Sequence, residues 1–182
     1  MFDKLKVSRG DASQEALVAM DKLANAIVLT SQGTVFMHAG AEFLRTKKEE
    51  ENSYNLPDSI NQIDWNWKLE HKPVFDYYKN LIELRKSHPA VRMTNSKDVV
   101  DNLTFLKSTD GVVSYVIQNN ANYDSWNNIL VIYNANPKPI KHILEGVWQL
   151  AVIGDDFSLV NGKPLKKTVQ VPPISMLVAY QK

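Results

Sequence analysis

The sequence predicts an α+β chain: a helix–strand–helix unit in the first half, then an antiparallel β-sandwich. Three observations point there. Apolar residues recur at helical spacing in two long runs, and a β-branched and aromatic run follows the first directly. The second half then breaks into short β-prone runs separated by turn formers. This change of character places a boundary near Pro89 to Ser96 and divides the chain into 1–92 and 93–182.

The first helix spans about Asp11 to Ser31. Asp11 with Gln14 reads as a capping pair, and Glu15 suits the positive end of the helix dipole. Leu17, Met20, Leu23, Ala24, Ile27 and Val28 form its apolar face, and Gly33 ends it. Thr34–Met37 is too short for a helix and reads as a buried strand, so the pair suggests an α/β layer. From His38 to Leu69 no period holds. At roughly 30 residues this is longer than a usual connection, and such loops are commonly functional or disordered; Tyr54, Trp65 and Trp67 argue against disorder. The second helix runs from Pro73, at a first-turn position, to Ser87, with Val74, Tyr77, Tyr78, Leu81 and Ile82 inward and His88–Pro89 as its stop.

Strands are expected at Val99–Val100, Leu103–Leu106, Val112–Ile117, Ile129–Tyr133, Val147–Ile153, Thr168–Val171 and Ser175–Tyr180. Asp110–Gly111, Asn134–Pro137, Gly154 and Asn161–Gly162 supply the turns. Short strands at this spacing indicate a sandwich.

Composition narrows the function classes. Hydrophobic residues at 44% and charged residues at 23% supply a sizeable core. With 21 Lys and Arg against 20 Asp and Glu, the net charge of +1 gives no field to draw in nucleic acid or an anionic membrane. Without cysteine, disulfides and thiolate metal sites are excluded. No apolar stretch is long enough for a membrane helix, and Met1–Gly10 is too polar for a signal peptide, so the signal of a secreted or cell-surface parent would lie outside this chain.

Residue types alone carry little catalytic signal. His38, His71, His88 and His142 show no metal-ligand spacing; His38 and Glu42 sit four apart and suit a hydrogen-bonding role. No metal site and no cofactor is expected. There is no nucleophile elbow, dinucleotide loop or phosphate loop. Glu49, Glu50 and Glu51 read as a solvated charge run, whereas Asp58 and Asp64 lie among aromatic and amide residues. Arg45, Asn52, Tyr54, Asn55, Trp65 and Trp67 together suggest carbohydrate: amides and guanidinium bond hydroxyls, and rings receive the apolar faces of sugars. The plainer alternative is a loop whose aromatics plug the core.

The stretch Leu23 to Lys47, with Thr34-Val-Phe-Met-His-Ala-Gly-Ala-Glu-Phe-Leu-Arg45 at its heart, closely resembles the type I pullulanases, debranching members of the α-amylase superfamily. Asp3-Lys-Leu-Lys6, Asn52-Ser-Tyr-Asn55 and Ile60-Asn-Gln-Ile-Asp-Trp65 match the same group in the same order. The resemblance covers residues 3 to about 92; beyond that only the pattern of a C-terminal β domain agrees.

The resemblance implies a (β/α)8 barrel with a β-sandwich appended, and active sites of such barrels lie at the C-terminal ends of the strands. It makes Thr34–Met37 the eighth strand, Asp11–Ser31 and Pro73–Ser87 its flanking helices, and the His38–Leu69 loop a wall of the active-site face. Glu42, Arg45, Asn52, Tyr54 and Asn55 would then shape or contact the sugar cleft as support for the chemistry. Ala41 departs from the acidic residue usual before the Glu of this motif, so the polar network of that second carboxylate is in doubt. The family's nucleophilic Asp, general-acid Glu and third Asp are expected upstream of this chain. The parent would hydrolyse α-1,6-glucosidic branches of pullulan, glycogen or amylopectin by a retaining two-carboxylate mechanism, and the chain alone would be inactive. Its partners would be α-glucan and the rest of the barrel, and self-association is expected from the surface a lone barrel strand exposes. The sandwich, with its own core, is expected to be the more stable part. The alternative is a free-standing carbohydrate-binding or interaction module, with Tyr123, Trp126 and Trp148 as a platform unless they pack in the core.

Overall fold

The computed structural model describes residues 2–158 and 164–182; the turn expected at Asn161–Gly162 lies outside the described residues. Among the described residues, six α-helices and six strands follow in the order α1 (Phe2–Ser8), α2 (Gln14–Thr30), α3 (Asp58–Asn61), α4 (Trp67–Glu70), α5 (Lys72–Ser87), α6 (Ser96–Asn102), β1 (Leu103–Phe105), β2 (Val112–Ile117), β3 (Asn128–Asn134), β4 (Ile140–Ile153), β5 (Pro164–Val171) and β6 (Ser175–Gln181). No described helix is long and apolar enough to cross a membrane.

Ser13, and not Asp11, caps α2: its backbone is extended and its hydroxyl accepts from Ala16 N at 3.2 Å. Asp11 is drawn instead to Arg9, 3.4 Å away. α5 begins as expected, with proline in its first turn. Between these helices Asp21 and Asn25 are buried, and Tyr78 Oη donates to Asp21 Oδ2 at 2.8 Å.

The strand expected at Thr34–Met37 does not form. The segment has no ladder, and Phe36 is 90% exposed. Strand character needs a neighbour to bond, and none of the described strands runs beside it. Val99–Val100 is likewise helical, within α6, because Asn95 caps that helix with its Oδ1 accepting from Asp98 N at 2.8 Å.

The remaining strands make one antiparallel sheet in the order β1-β2-β3-β6-β4-β5. This single sheet takes the place of the two separate sheets of the expected sandwich. The cause is β4: its 14 residues pair with β6 at one end and β5 along most of their length, and its register shifts at Ile143/Val147 and Leu150/Val152. Such bulges bend a strand and raise its twist. The curled sheet thereby covers its own second face, where Val116, Leu130, Ile132, Leu177 and Ala179 meet Leu144, Trp148, Val169 and Val171.

Alternation sends Tyr115, Ile117, Ile129, Val131 and Val178 to the opposite face, where they share one core with Leu17, Leu23, Ala26 and Leu29 of α2 and Tyr77 and Leu81 of α5. This joint is also polar. Thr30 Oγ1 donates to Ala26 O at 2.7 Å and lies 2.5 Å from Tyr133 Oη, and Tyr115 Oη donates to Thr30 O at 2.8 Å. A second joint holds the connection after α5. His88 Nδ1 lies 2.9 Å from Asp124 Oδ1, its ring stacks on Trp126 at 3.4 Å, and Trp126 stacks on Tyr180 at 4.1 Å.

Candidate functional site

The loop between α2 and α5 is built around backbone that most residues avoid. Gly40 sits at φ 92°, and a Cβ there would come 2.7 Å from Arg45 Cβ and Cδ, so glycine is required. A tight helical turn at Ala41–Phe43 follows, and Leu44, Lys48 and Glu49 all take positive φ. Strain of this kind persists only where surrounding bonds over-determine it.

Those bonds are present. Glu42 Oε2 accepts from Gly40 N at 2.9 Å, which closes the turn. Arg45 Nη1 donates to Ala39 O at 3.2 Å and Nη2 donates to Asn61 O, while its buried Nε has no partner. Lys47 Nζ donates to Ser53 Oγ at 2.7 Å and Asn61 Oδ1 at 3.1 Å. Asn61 Nδ2 in turn donates to Ser53 O at 2.6 Å and Leu56 O at 2.8 Å. From α1, Asp3 accepts from Thr46 Oγ1 and Lys47 N, both at 2.8 Å. Asn61 and Asp3 thus tie three separate segments into one platform.

Of the site residues expected from sequence, Glu42 and Arg45 are half-buried and spent on this scaffold. Asn52, Tyr54 and Asn55 are exposed beside it, Tyr54 at 83%. Trp65 is 67% exposed and leans on buried Phe43, with ring centroids 5.9 Å apart. Of the aromatics of this loop, Tyr54 and Trp65 are exposed, Trp67 is half-buried and Phe43 is buried. Among the described residues His38 makes no hydrogen bond to Glu42. Partial burial, then the charges of Arg45 and Lys47, hold its imidazole below the usual histidine range. Asp64 closes a local turn by accepting from Asn66 N at 2.9 Å. No cluster of His, Asp and Glu among the described residues is arranged to hold a metal ion.

The sequence assigns no role to Asp3, Lys47, Ser53 or Asn61, although all four lie inside the segments that carry the resemblance. Their partners are up to 44 residues distant, so the pairing has no local signature. Of the three sandwich aromatics, Trp126 and Trp148 are buried in the core and Tyr123 is fully exposed. An exposed tyrosine and tryptophan, flanked by amides on a rigid platform, can receive the apolar faces and hydroxyls of a sugar chain.

A sequence profile described as the pullulanase all-beta domain matches residues 99–156. The pullulanase of Bacillus subtilis is 33% identical over 180 residues, which is 98% of this chain and 25% of that protein. Along almost its whole length the chain is similar to the pullulanases. Among solved structures, pullulanase from Bacillus acidopullulyticus superposes with a TM-score of 0.93 at 42% identity over 99% of this chain and 22% of its own. A pullulanase from Anoxybacillus complexed with maltotetraose gives 0.91 at 34% identity, over 100% of this chain and 26% of that one. The chain thus spans about a quarter of the pullulanases it matches, and the antiparallel sheet with its packed helices is part of a pullulanase fold.

Proposed function

We propose that this chain is the C-terminal part of a retaining debranching glycoside hydrolase that cleaves α-1,6 branches of pullulan, glycogen or amylopectin. Residues 1–92 contribute α2, the Thr34–Met37 segment and α5 to the end of its (β/α)8 barrel, where Thr34–Met37 becomes a strand only against neighbouring barrel strands, and residues 93–182 contribute its C-terminal β domain. Asn52, Tyr54 and Asn55 contact the glucan, and Glu42 and Arg45 hold the loop that presents them. The observation that carries this reading is the platform itself. Unfavourable backbone at Gly40, Leu44, Lys48 and Glu49 is clamped by Arg45, Lys47 and Asn61, yet the residues it presents, Tyr54 and Trp65, face solvent. Strained segments so supported cluster at ligand sites. The malto-oligosaccharide bound to the Anoxybacillus pullulanase supports a glucan as the ligand.

A retaining mechanism needs two carboxyl groups about 5–5.5 Å apart. In this reading Glu42 holds the turn at Gly40 and Asp64 the turn at Asn66, as support and not as nucleophiles. The catalytic Asp, Glu and third Asp belong to the rest of the barrel in this reading, and the chain alone does not hydrolyse. The test is release of reducing sugar from pullulan by the purified chain, with maltotriose binding followed by calorimetry. Hydrolysis above a buffer blank sinks the reading; binding without hydrolysis that survives Tyr54→Ala favours a free-standing sugar-binding module.

A further inference from the structure

The curled sheet encloses a cleft of about 620 Å³ on the face turned away from the helices, between β1 and β2 on one side and the start of β4 on the other. That volume falls within the range of small-molecule sites, which combine an apolar lining with a few placed polar groups. Leu106, Val112, Ile140 and Ile143 bring the accessible apolar surface, above a buried floor of Val116, Leu130, Leu144 and Trp148. Trp148 is fixed there, because its indole Nε1 donates to Glu145 O at 2.9 Å.

The polar part is uncommitted or pre-arranged. Asn128 Nδ2 donates to Gln181 Oε1 at 2.7 Å and Gln181 Nε2 to Val147 O at 3.1 Å, a relay that orients the Asn128 amide. Gln118 and His142 line the same cleft and make no side-chain hydrogen bond among the described residues. His142 alternates inward with Ile140 and Leu144. Burial lowers its pKa, so near neutral pH its ring offers one donor and one acceptor without charge. Glu145 offsets one of the two exposed lysines, Lys107 and Lys141, while the groups held in place inside the cleft, Asn128 and Trp148, are neutral and suit a neutral ligand. Fixed apolar surface edged by neutral donors and acceptors is the complement of a sugar ring, with its C–H faces and equatorial hydroxyls.

We propose that this cleft is a second sugar site, remote from the α2–α5 loop, which seats a short α-glucan chain against Leu106, Ile140 and Ile143, beside Gln118, Asn128 and His142 and over the buried Trp148. The choice of α-glucan over another sugar rests on the proposed function above; the site itself does not. A polymer held here and at the loop gains effective concentration at the loop.

The experiment titrates the isotopically labelled full chain with maltohexaose and, separately, cellohexaose, reading the Trp148 indole N–H, the Gln118 and Asn128 amides and the indole of Trp65. Saturable shifts at Trp148 with maltohexaose are expected. The double variant Gln118→Ala/His142→Ala is expected to melt like the parent chain and to weaken binding at the cleft by about tenfold, the loss of two neutral hydrogen bonds. If that variant fails to fold, Gln118→Ala alone, at an exposed position, is expected to weaken binding by about threefold to fivefold. Silence at Trp148, unchanged binding in a folded variant, or an equal response to cellohexaose overturns the proposal. The Trp65 signal reads the loop separately: a responsive cleft with a silent loop refutes the loop reading, and the reverse refutes this one.

Discussion

Two buried aspartates respond to the interior in opposite ways. Asp124 is held below the ordinary aspartate range. Burial would raise it, but hydrogen bonds from His88, Trp126 N and Ala90 N together outweigh that penalty. Asp21 is raised, because burial outweighs the single bond from Tyr78. The signs follow from linkage. Stability from Asp124, whose folded pKa is depressed, is present above its unfolded value and lost as pH falls through the folded one. The share from Asp21, whose folded pKa is raised, is present below its unfolded value and lost as pH rises through the folded one. Asp124→Asn is expected to cost about 2 kcal/mol near neutral pH, since it removes the charge from three hydrogen bonds, and to flatten the acid limb of the stability curve. Asp21→Asn, which keeps an acceptor for Tyr78, is expected to leave neutral-pH stability unchanged or raised. Urea unfolding of both variants from about pH 3 to pH 7 separates them; an equal loss in both refutes the assignment.

At the scale of elements, α2 ends on a side chain from α5. Arg85 Nη1 donates to Leu29 O, Ser31 O and Val91 O at 2.8 to 3.0 Å, and Nη2 to Gly33 O at 2.6 Å. A helix terminus leaves carbonyls without partners, and a guanidinium fork satisfies several at once. Arg85→Ala is expected to cost about 2–3 kcal/mol and to speed hydrogen exchange in the last turn of α2. Arg85→Lys, with one point donor, should recover less than half of that loss. Nothing in the sequence marks Arg85 out, because its acceptors lie up to 56 residues away. Periodicity, by contrast, located α5 and the β2, β3 and β6 cores, each dense in apolar residues. It missed the first part of β4, where Ile140, His142 and Leu144 alternate with Lys141 and Ile143, so that each face mixes one polar residue with apolar ones. It also read Val99–Val100 as strand, where the cap at Asn95 decided for helix. In the loop, sequence and resemblance picked out the residues that face outward, Asn52, Tyr54 and Asn55. Of the clamp that holds them only Glu42 and Arg45 were legible; Asp3, Lys47, Ser53 and Asn61 act through contacts between separate segments and stayed hidden.

At the scale of the molecule, the two halves differ in composition but not in core. Sheet residues Tyr115, Ile117 and Val131 pack in one cluster with Leu23, Leu29 and Leu81 of the helices. The outer edge of the sheet carries Lys166 and Lys167 on β5, which discourages edge-to-edge pairing. Its apolar exposure lies elsewhere: Ile27, Val28 and Phe36 around the end of α2, with Phe105 and Val113 across an apolar groove that Ile27 also lines. Association is therefore expected through this patch, so light scattering should show oligomers that Phe36→Asp with Phe105→Asp reduces; a monomeric parent chain refutes it. The shared core carries a stronger consequence. A sheet with its own complete core would outlast the helices during unfolding, but here one of its faces is completed only by α2 and α5. Far-ultraviolet dichroism at the helical minimum and the fluorescence of Trp126, buried between His88 and Tyr180, should therefore report one coincident urea transition. Two separated transitions, with the tryptophan signal the later, would show that residues 93–182 stand alone and that the helices merely rest upon them.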